Sequence, residues 1–406
     1  MKINNKPLLR PLDFQPVYFQ GQSMWYLRDP LQLSDQQLFM PEAMGPLLSL
    51  MNGERSAAEI HDSFCKIVGA VLDLQITTNA IARLDDAYLL ENENSKMAKQ
   101  VLLNEFRSQP YRPPALAGNS YPSDSLALTE HLQNYSSNEV FSNWTGRGIV
   151  SPHIDYNRGG SVYSQVWRSA EAGILDAELV LIFGTDHYGG PGAITLTGLP
   201  YATPYGVMPN DEALVDKLAA ALDPEAAFAE ELNHRQEHSI ELSAVWLHHI
   251  FHQAGKEPSP MVPILVGSFH NFLVNGGKPA DDARINAFLE VLQKETADRR
   301  VLSVASVDLA HVGPVFGDQF VMDPARREKL AEQDFNLITT AIQGDAESWY
   351  SQIASIGDRN RICGFAPTYL MLKYLGKTNG KQIAYDQCPA DDQEASLVSI
   401  CGLLID

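Results

Sequence analysis

ELVLIFGTDHYGG, residues 178–190, opens with Leu179, Val180, Leu181, Ile182 and Phe183 and then breaks at Gly184 into Thr185, Asp186 and His187 before a Gly189-Gly190 turn. An apolar run of this length, without polar alternation, is the pattern of a strand buried on both faces of a parallel sheet. The C-terminal ends of such strands form the ligand-binding edge of an open α/β sheet, so a histidine there is placed for chemistry and poorly placed for packing. The design recurs twice. GIVSPHIDY, residues 148–156, puts His153 after Ile149 and Val150, and VLSVASVDLAH, residues 301–311, puts Asp308 and His311 after another apolar run. One such histidine commonly just hydrogen-bonds a loop or caps a helix; three at strand ends point to a shared site.

Working outward, Val162, Tyr163, Val166, Trp167, Ala170 and Ile174 fall at helical spacing, which makes residues 148–184 a βαβ unit with parallel strands. Further helices are predicted in DEALVDKLAAAL, SIELSAVWLHHIFHQ, ARINAFLEVLQK and REKLAEQDFNLITTAI, and strands in MVPILV, VLSVAS and SLVSICGLLI. APTYLMLKYLG reads as a helix with Pro367 in its first turn and Gly376 closing it. The expectation is an α/β domain over residues 113–406 with both faces of its sheet covered.

Residues 1–100 read differently. Ser56 and Glu59 have capping-box spacing at a helix start, and a second helix is expected near Thr77 and Thr78. Short strands around Trp25–Leu27 and Tyr88–Leu90 would complete a small winged-helix-like domain. The prolines of SQPYRPPALAGNSYP and the polar ENENSKMAKQ before them suggest a linker at residues 101–112.

The chain has 50 acidic and 30 basic residues, a net charge of −20, and residues 1–99 carry nine Lys/Arg against twelve Asp/Glu. Neither balance suits nucleic acid or an anionic membrane. The start lacks a signal peptide's apolar core and no apolar run approaches a membrane span. Four cysteines without a CxxC pair fit reduced thiols and a cytoplasmic protein.

Neutral imidazoles are good ligands for Fe, Zn or Cu, and carboxylates commonly orient them. Asp308 and His311 would share one side of a helical turn. Cys363, just before a helix, has the position at which a thiol pKa is lowered, although a free cysteine is more often a small buried hydrophobe. Glu237, His238 and Glu241 open another helix, where Glu237 or Glu241 could serve as a general base or orienting carboxylate, or simply favour the helix dipole. His248 and His252 have i, i+4 spacing, but His249 stands where HExxH needs its glutamate, so they read as an ordinary helix face.

ALAGNSYP, SPHIDY, FGTDHYGG, TPYG, EHSIE, VPILVG, SVDLAH and ICGFAP follow the order of motifs in the Memo family, and the chain resembles in particular its branch called AmmeMemoRadiSam system protein B. The resemblance spans about residues 112–406 and implies a fold like the class III extradiol dioxygenases. It makes His153, His187 and Cys363 the expected ligands of a mononuclear transition metal, Fe(II) or Cu, with Zn as another option. Glu237, His238, Asp308 and His311 become candidate catalytic residues, and Asp186 and Tyr156 candidates for a supporting layer. Asp186 stands where the family has Ser or Asn. NGERSAAEI resembles PqqD-like peptide-recognition domains. Two functions follow as expectations: a metal-dependent, dioxygenase-like redox protein, or a non-catalytic protein that binds a peptide or a radical-SAM partner through its N-terminal domain.

Overall fold

The computed structural model, which describes residues 6–19, 21–135 and 143–406, separates between Ser108 and Gln109 into two units, each with its own core. In the first, β1 (Asp13–Phe19), β2 (Gln22–Arg28) and β3 (Leu38–Pro41) form an antiparallel sheet in that order. Helices Ala57–Val68 and Leu74–Asp86 bury Ile60, Phe64, Ile81 and Leu84 in a core shared with Leu27 and Met40. The Ser56–Glu59 capping box is present. The second helix begins three residues before Thr77, because Asp73 caps it by accepting from Gln75 N at 2.9 Å. Trp25–Leu27 lies in β2, whereas around Tyr88, which has φ 58°, only an isolated Leu9–Leu90 bridge forms.

The linker expected over residues 101–112 is helical as far as Arg107. Asn92 caps a helix at Glu93–Arg107 by accepting from Asn94 N and Ser95 N, so the polar run is the start of a solvated helix and not a loose connection.

The second unit contains β4 (Gly148–Ser151), β5 (Leu179–Thr185), β6 (Ile194–Leu196), β7 (Tyr201–Thr203), β8 (Gly206–Met208) and β9 (Met261–Val266). It continues with β10 (Val301–Ser306), β11 (His311–Val312), β12 (Gly380–Pro389) and β13 (Leu397–Ile405). One eight-stranded sheet runs β11-β13-β4-β10-β5-β9-β6, with β12 paired to β13, and β7 and β8 form a separate hairpin. The central β4, β10, β5 and β9 are parallel, and β13 and β6 flank them antiparallel. The βαβ strands β4 and β5 are parallel as expected, but β10 lies between them.

Side chains of β5 alternate between two cores. Leu179, Leu181 and Phe183 pack with Val262, Ile264 and Leu370 on one face, while Val180 and Ile182 pack with Ile149, Trp246 and Val304 on the other. Burial of each such side chain stabilises by roughly 1.5–3 kcal/mol, which holds the strand ends rigidly where the site is built. Helices Glu212–Leu222, His238–Gln253, Ala283–Thr296, Pro324–Ile342 and Phe365–Leu375 occupy the segments with helical periodicity. The Asp-Leu-Ala-His segment is the exception. It is no helical turn but an extended passage from β10 into β11, held by Leu309 N to Ser399 O at 2.8 Å and Ala310 N to Ser399 Oγ at 3.0 Å.

On helix Pro324–Ile342, Asp334 is fully buried and accepts from the Tyr385 hydroxyl at 2.8 Å. Burial pushes its pKa up to about 6 from an ordinary 3.8. Between these values the folded chain keeps a proton that the unfolded chain releases, so this group's contribution falls as pH rises, by on the order of 3 kcal/mol. Asp334→Asn is therefore expected to gain stability over the parent from about pH 4 to about pH 6, read by urea unfolding at both pH values. An unchanged difference between the two proteins refutes this.

Among the described residues no helix is long and apolar enough to cross a membrane. The first five residues, which belong to the stretch read as lacking a signal peptide, lie outside the described residues.

Candidate metal centre

Ser151, Ser306 and Gly184 are level across the adjacent strands β4, β10 and β5. The chain leaving these strands therefore delivers His153, Asp308 and His187 to one edge of the sheet. Gly184 does a second job. A Cβ there would stand 2.5 Å from Ile240 Cγ1 and 2.7 Å from Ser239 Oγ, so glycine is needed for helix His238–Gln253 to start against β5. Ser239 Oγ fixes that approach by donating to Thr185 O at 2.8 Å, and His238 comes to rest with its ring centroid 4.7 Å from that of His187. Cys363 arrives similarly. A Cβ on Gly364 would meet Asp308 O at 2.8 Å, and Asp308 N donates to Cys363 Sγ at 3.3 Å.

The ligand atoms of His153, His187 and His238 lie within 4.8 Å of one another, as do those of His153, Asp308 and Cys363. His153 Nε2 belongs to both groups, 3.2 Å from Cys363 Sγ and 3.6 Å from Asp308 Oδ2. Of the three expected ligands, His187 and Cys363 thus stand in different groups, joined through His153. The His153 side chain is 1% exposed, whereas His187 and His238 are 30% and 39% exposed and open onto a cleft.

The acceptors behind the rings decide which nitrogen faces inward. His153 Nδ1 meets Ser306 O at 3.0 Å. His187 Nδ1 and His238 Nδ1 meet the same carboxylate, Glu237, at 3.1 and 3.0 Å. A carbonyl and a carboxylate only accept, so each Nδ1 is a donor and each Nε2 is the atom left for a ligand. Two donors on opposite sides of one transition metal ion stand about 4.2 Å apart, twice a bond of about 2.1 Å, and donors at smaller angles stand closer, so binding an ion draws these side chains inward. Imidazole, thiol and carboxylate donors fit Fe, Cu or Zn better than Mg or Ca.

Burial, with His187 and His238 nearby, holds the His153 pKa well below its ordinary value, so that ring is neutral. For His187 burial opposes the charged form, but Glu237 and Cys363 outweigh it and raise the pKa well above the ordinary range; an incoming cation would displace that proton. Burial also works against the Glu237 carboxylate, yet His187 and His238 hold its pKa well below the ordinary value. Glu237 accepts in addition from His187 N, His238 N and Ser239 N at 3.0, 2.8 and 3.0 Å. With its oxygens so fully used, it suits orienting the imidazoles better than moving protons. Burial pushes Asp308 up to about 6, against hydrogen bonds from His153 N and Ile154 N. The lowered thiol pKa expected for Cys363 is not found: burial raises it, and the nearby His187 only partly compensates.

Other candidates are placed as follows. His311 Nδ1 lies 3.1 Å from Arg361 O, and burial lowers its pKa to about 4. Asp186 accepts twice from Asn233 Nδ2 at 3.0 Å and once from Tyr188 N at 3.2 Å, bracing the loop beside His187. Tyr156 is buried and donates to Leu242 O at 2.7 Å, joining two helices behind the site. His248 and His249 face Thr203 Oγ1 and the Tyr205 hydroxyl at 2.7 and 2.9 Å, as an ordinary helix face does.

A cleft of about 490 Å³ joins these groups, lined by His153, His187, His238, Asp308 and His311 with Arg158, Leu242 and Phe316. Arg158 and the fully buried Arg112 were missed from the sequence. Arg112 sat in the apparent linker, yet it pairs with Glu241 of EHSIE and donates to Glu237 O at 3.0 Å. The ALAGNSYP motif that begins three residues later was the available signal.

The profile of the family described as Memo-like protein matches residues 112–404. A MEMO1 family protein of Aquifex aeolicus is 27% identical over 406 residues, covering 98% of this chain and 99% of the relative. A MEMO1 family protein of Thermus thermophilus is 25% identical, covering 86% of this chain and 97% of its own length. For one from Thermococcus kodakarensis the identity is 28% and the coverage 62% and 83%. The N-terminal unit thus has a counterpart in the Aquifex protein.

Proposed function

Because the chain belongs to the Memo-like protein family, we propose that it is a cytoplasmic metal-dependent redox protein of dioxygenase-like type, with a mononuclear Fe(II), Cu or Zn ion held by His153, His187 and Cys363. The observation that carries this reading is the convergence of imidazole, thiol and carboxylate donors at one strand edge, with every histidine Nδ1 already committed to an acceptor. A bound Fe or Cu would supply electron transfer or dioxygen binding, and Zn would act as a Lewis acid. The chain's own part is positional. Glu237 orients two imidazoles, Asp308 and His311 stand in the cleft wall where they can hold or pass a proton, and Leu242 and Phe316 keep part of the wall dry.

Metal analysis after anaerobic purification tests the reading. A stoichiometric transition metal, or its uptake by the folded apoprotein, is the expected result. A folded protein that takes up none of Fe(II), Cu and Zn overturns it.

A partner-binding role for residues 1–108 is a second reading, favoured by the edge strand β1, on which Phe14 and Tyr18 are 44% and 78% exposed. Such an edge can receive an extended peptide or a segment of a radical-SAM partner. Exchanging both aromatic residues for lysine should abolish capture of that partner if this reading holds. Undiminished capture removes it.

A further inference from the structure

We propose that His238 is itself a metal ligand, so that the ion sits on a face of three imidazoles, His153, His187 and His238. This goes beyond the His-His-Cys reading and rests on the presence of a metal at the same site. One ring nitrogen of each lies within 4.8 Å of those of the other two, and the ring centroids are 5.0, 5.1 and 4.7 Å apart. Proximity alone is a weak argument, since histidines also cluster around protons.

The stronger one is the shared anchor. Glu237, 1% exposed, meets His187 Nδ1 with both oxygens at 3.1 Å and His238 Nδ1 with Oε1 at 3.0 Å, and caps the helix that His238 opens. A carboxylate on Nδ1 orients proton-carrying histidines as well as metal-bound ones. What marks His238 is that its carboxylate is the same one that orients His187, so that one anchor presents two Nε2 atoms to the place where His153 Nε2 also stands. The two rings are stacked at an interplanar angle of 18°, so what orients one orients both.

Cys363 and Asp308 form the second donor group with His153, their Sγ and Oδ2 atoms 3.2 and 3.6 Å from its Nε2. The single lone pair on His153 Nε2 can serve only one ion, so the two donor groups are two sides of one mononuclear position. Three neutral imidazoles select a borderline divalent ion such as Cu(II), Co(II), Fe(II) or Zn(II), with the thiol as an added ligand.

Cu(II) binding to the full chain, followed by electron paramagnetic resonance and titration, tests this. The parent protein should show coupling to three nitrogens. His238→Ala should show two and bind at least about tenfold more weakly, and free imidazole, admitted through the open cleft, should restore the third. Cys363→Ser should keep all three. If His238→Ala binds Cu(II) with parental affinity and nitrogen count while Cys363→Ser loses it, the inference is overturned and the metal-centre reading survives. If the folded parent takes up no Cu(II), Co(II) or Zn(II), the metal-centre reading itself falls, and this inference with it.

Discussion

His153→Ala is expected to fold and to lose its metal altogether, the largest effect on binding of any single change in the cleft. His153 is the one donor common to both ligand groups. Removing any other donor leaves one group complete, whereas removing His153 leaves His187 with His238 on one side and Asp308 with Cys363 on the other. The neighbouring Glu237 and Asp308 cannot substitute. Glu237 is occupied by five donors, and Asp308 Oδ1 is committed to the backbone of His153 and Ile154. Loss of an outer partner typically costs tenfold to about a hundredfold in metal affinity, and loss of the shared ligand should exceed that, reading as no retained metal after dialysis. Folding should suffer less. The ring's one strong tie is to Ser306 O, so about 1–3 kcal/mol of stability is at stake for an orphaned buried acceptor. Metal analysis together with urea unfolding separates the two effects. Stoichiometric metal in His153→Ala would place the ion elsewhere.

The location of the site was legible because burial on both faces of β5 leaves an unmistakable apolar run, and because strand ends in a parallel sheet are where side chains become free for chemistry. That logic picked out His153, His187 and His311, all of which line the cleft, without knowledge of the strand order. It could not show that β10 lies between β4 and β5, since nothing in VLSVAS encodes its neighbours. It also misread DLAH as a helical turn: i, i+3 spacing is compatible with a helix, and only the Ser399 hydrogen bonds reveal an extended path. His238 was visible as a residue of EHSIE, but its place beside His187 depends on the close approach at Gly184, a tertiary contact. Cys363 was judged by its position before a helix, a local rule. Its burial, a non-local fact that includes the contact with Asp308 N, sets its pKa instead.

The loss of Arg112 should do to the fold what the loss of His153 does to the metal. Both side chains of the Arg112–Glu241 pair are wholly inaccessible. Arg112 further donates to His234 O at 2.8 Å and Glu237 O at 3.0 Å, while Glu241 accepts from Ala115 N and Leu116 N at 2.9 Å and from the Tyr121 hydroxyl. The pair thus sews residues 112–121 to the start of the helix that carries His238. Breaking a buried pair from one side costs about 3–5 kcal/mol, because a charge is left without its partner. Arg112→Met should lower Tm by roughly 6–20 °C, at about 2–4 °C per kcal/mol for a unit of this size. Glu241→Gln in the same background removes the stranded charge and should recover part of the loss. It cannot recover all of it, since Ala115 N and Leu116 N then share one neutral acceptor and the carbonyls of His234 and Glu237 stay unpaired. Leu116 and Ser120 also line the cleft, so the single variant should bind metal more weakly than the double. A single variant as stable as the parent would show that the pair merely occupies space. A double variant no better than the single would show that the damage lies in the orphaned carbonyls and not in the charge.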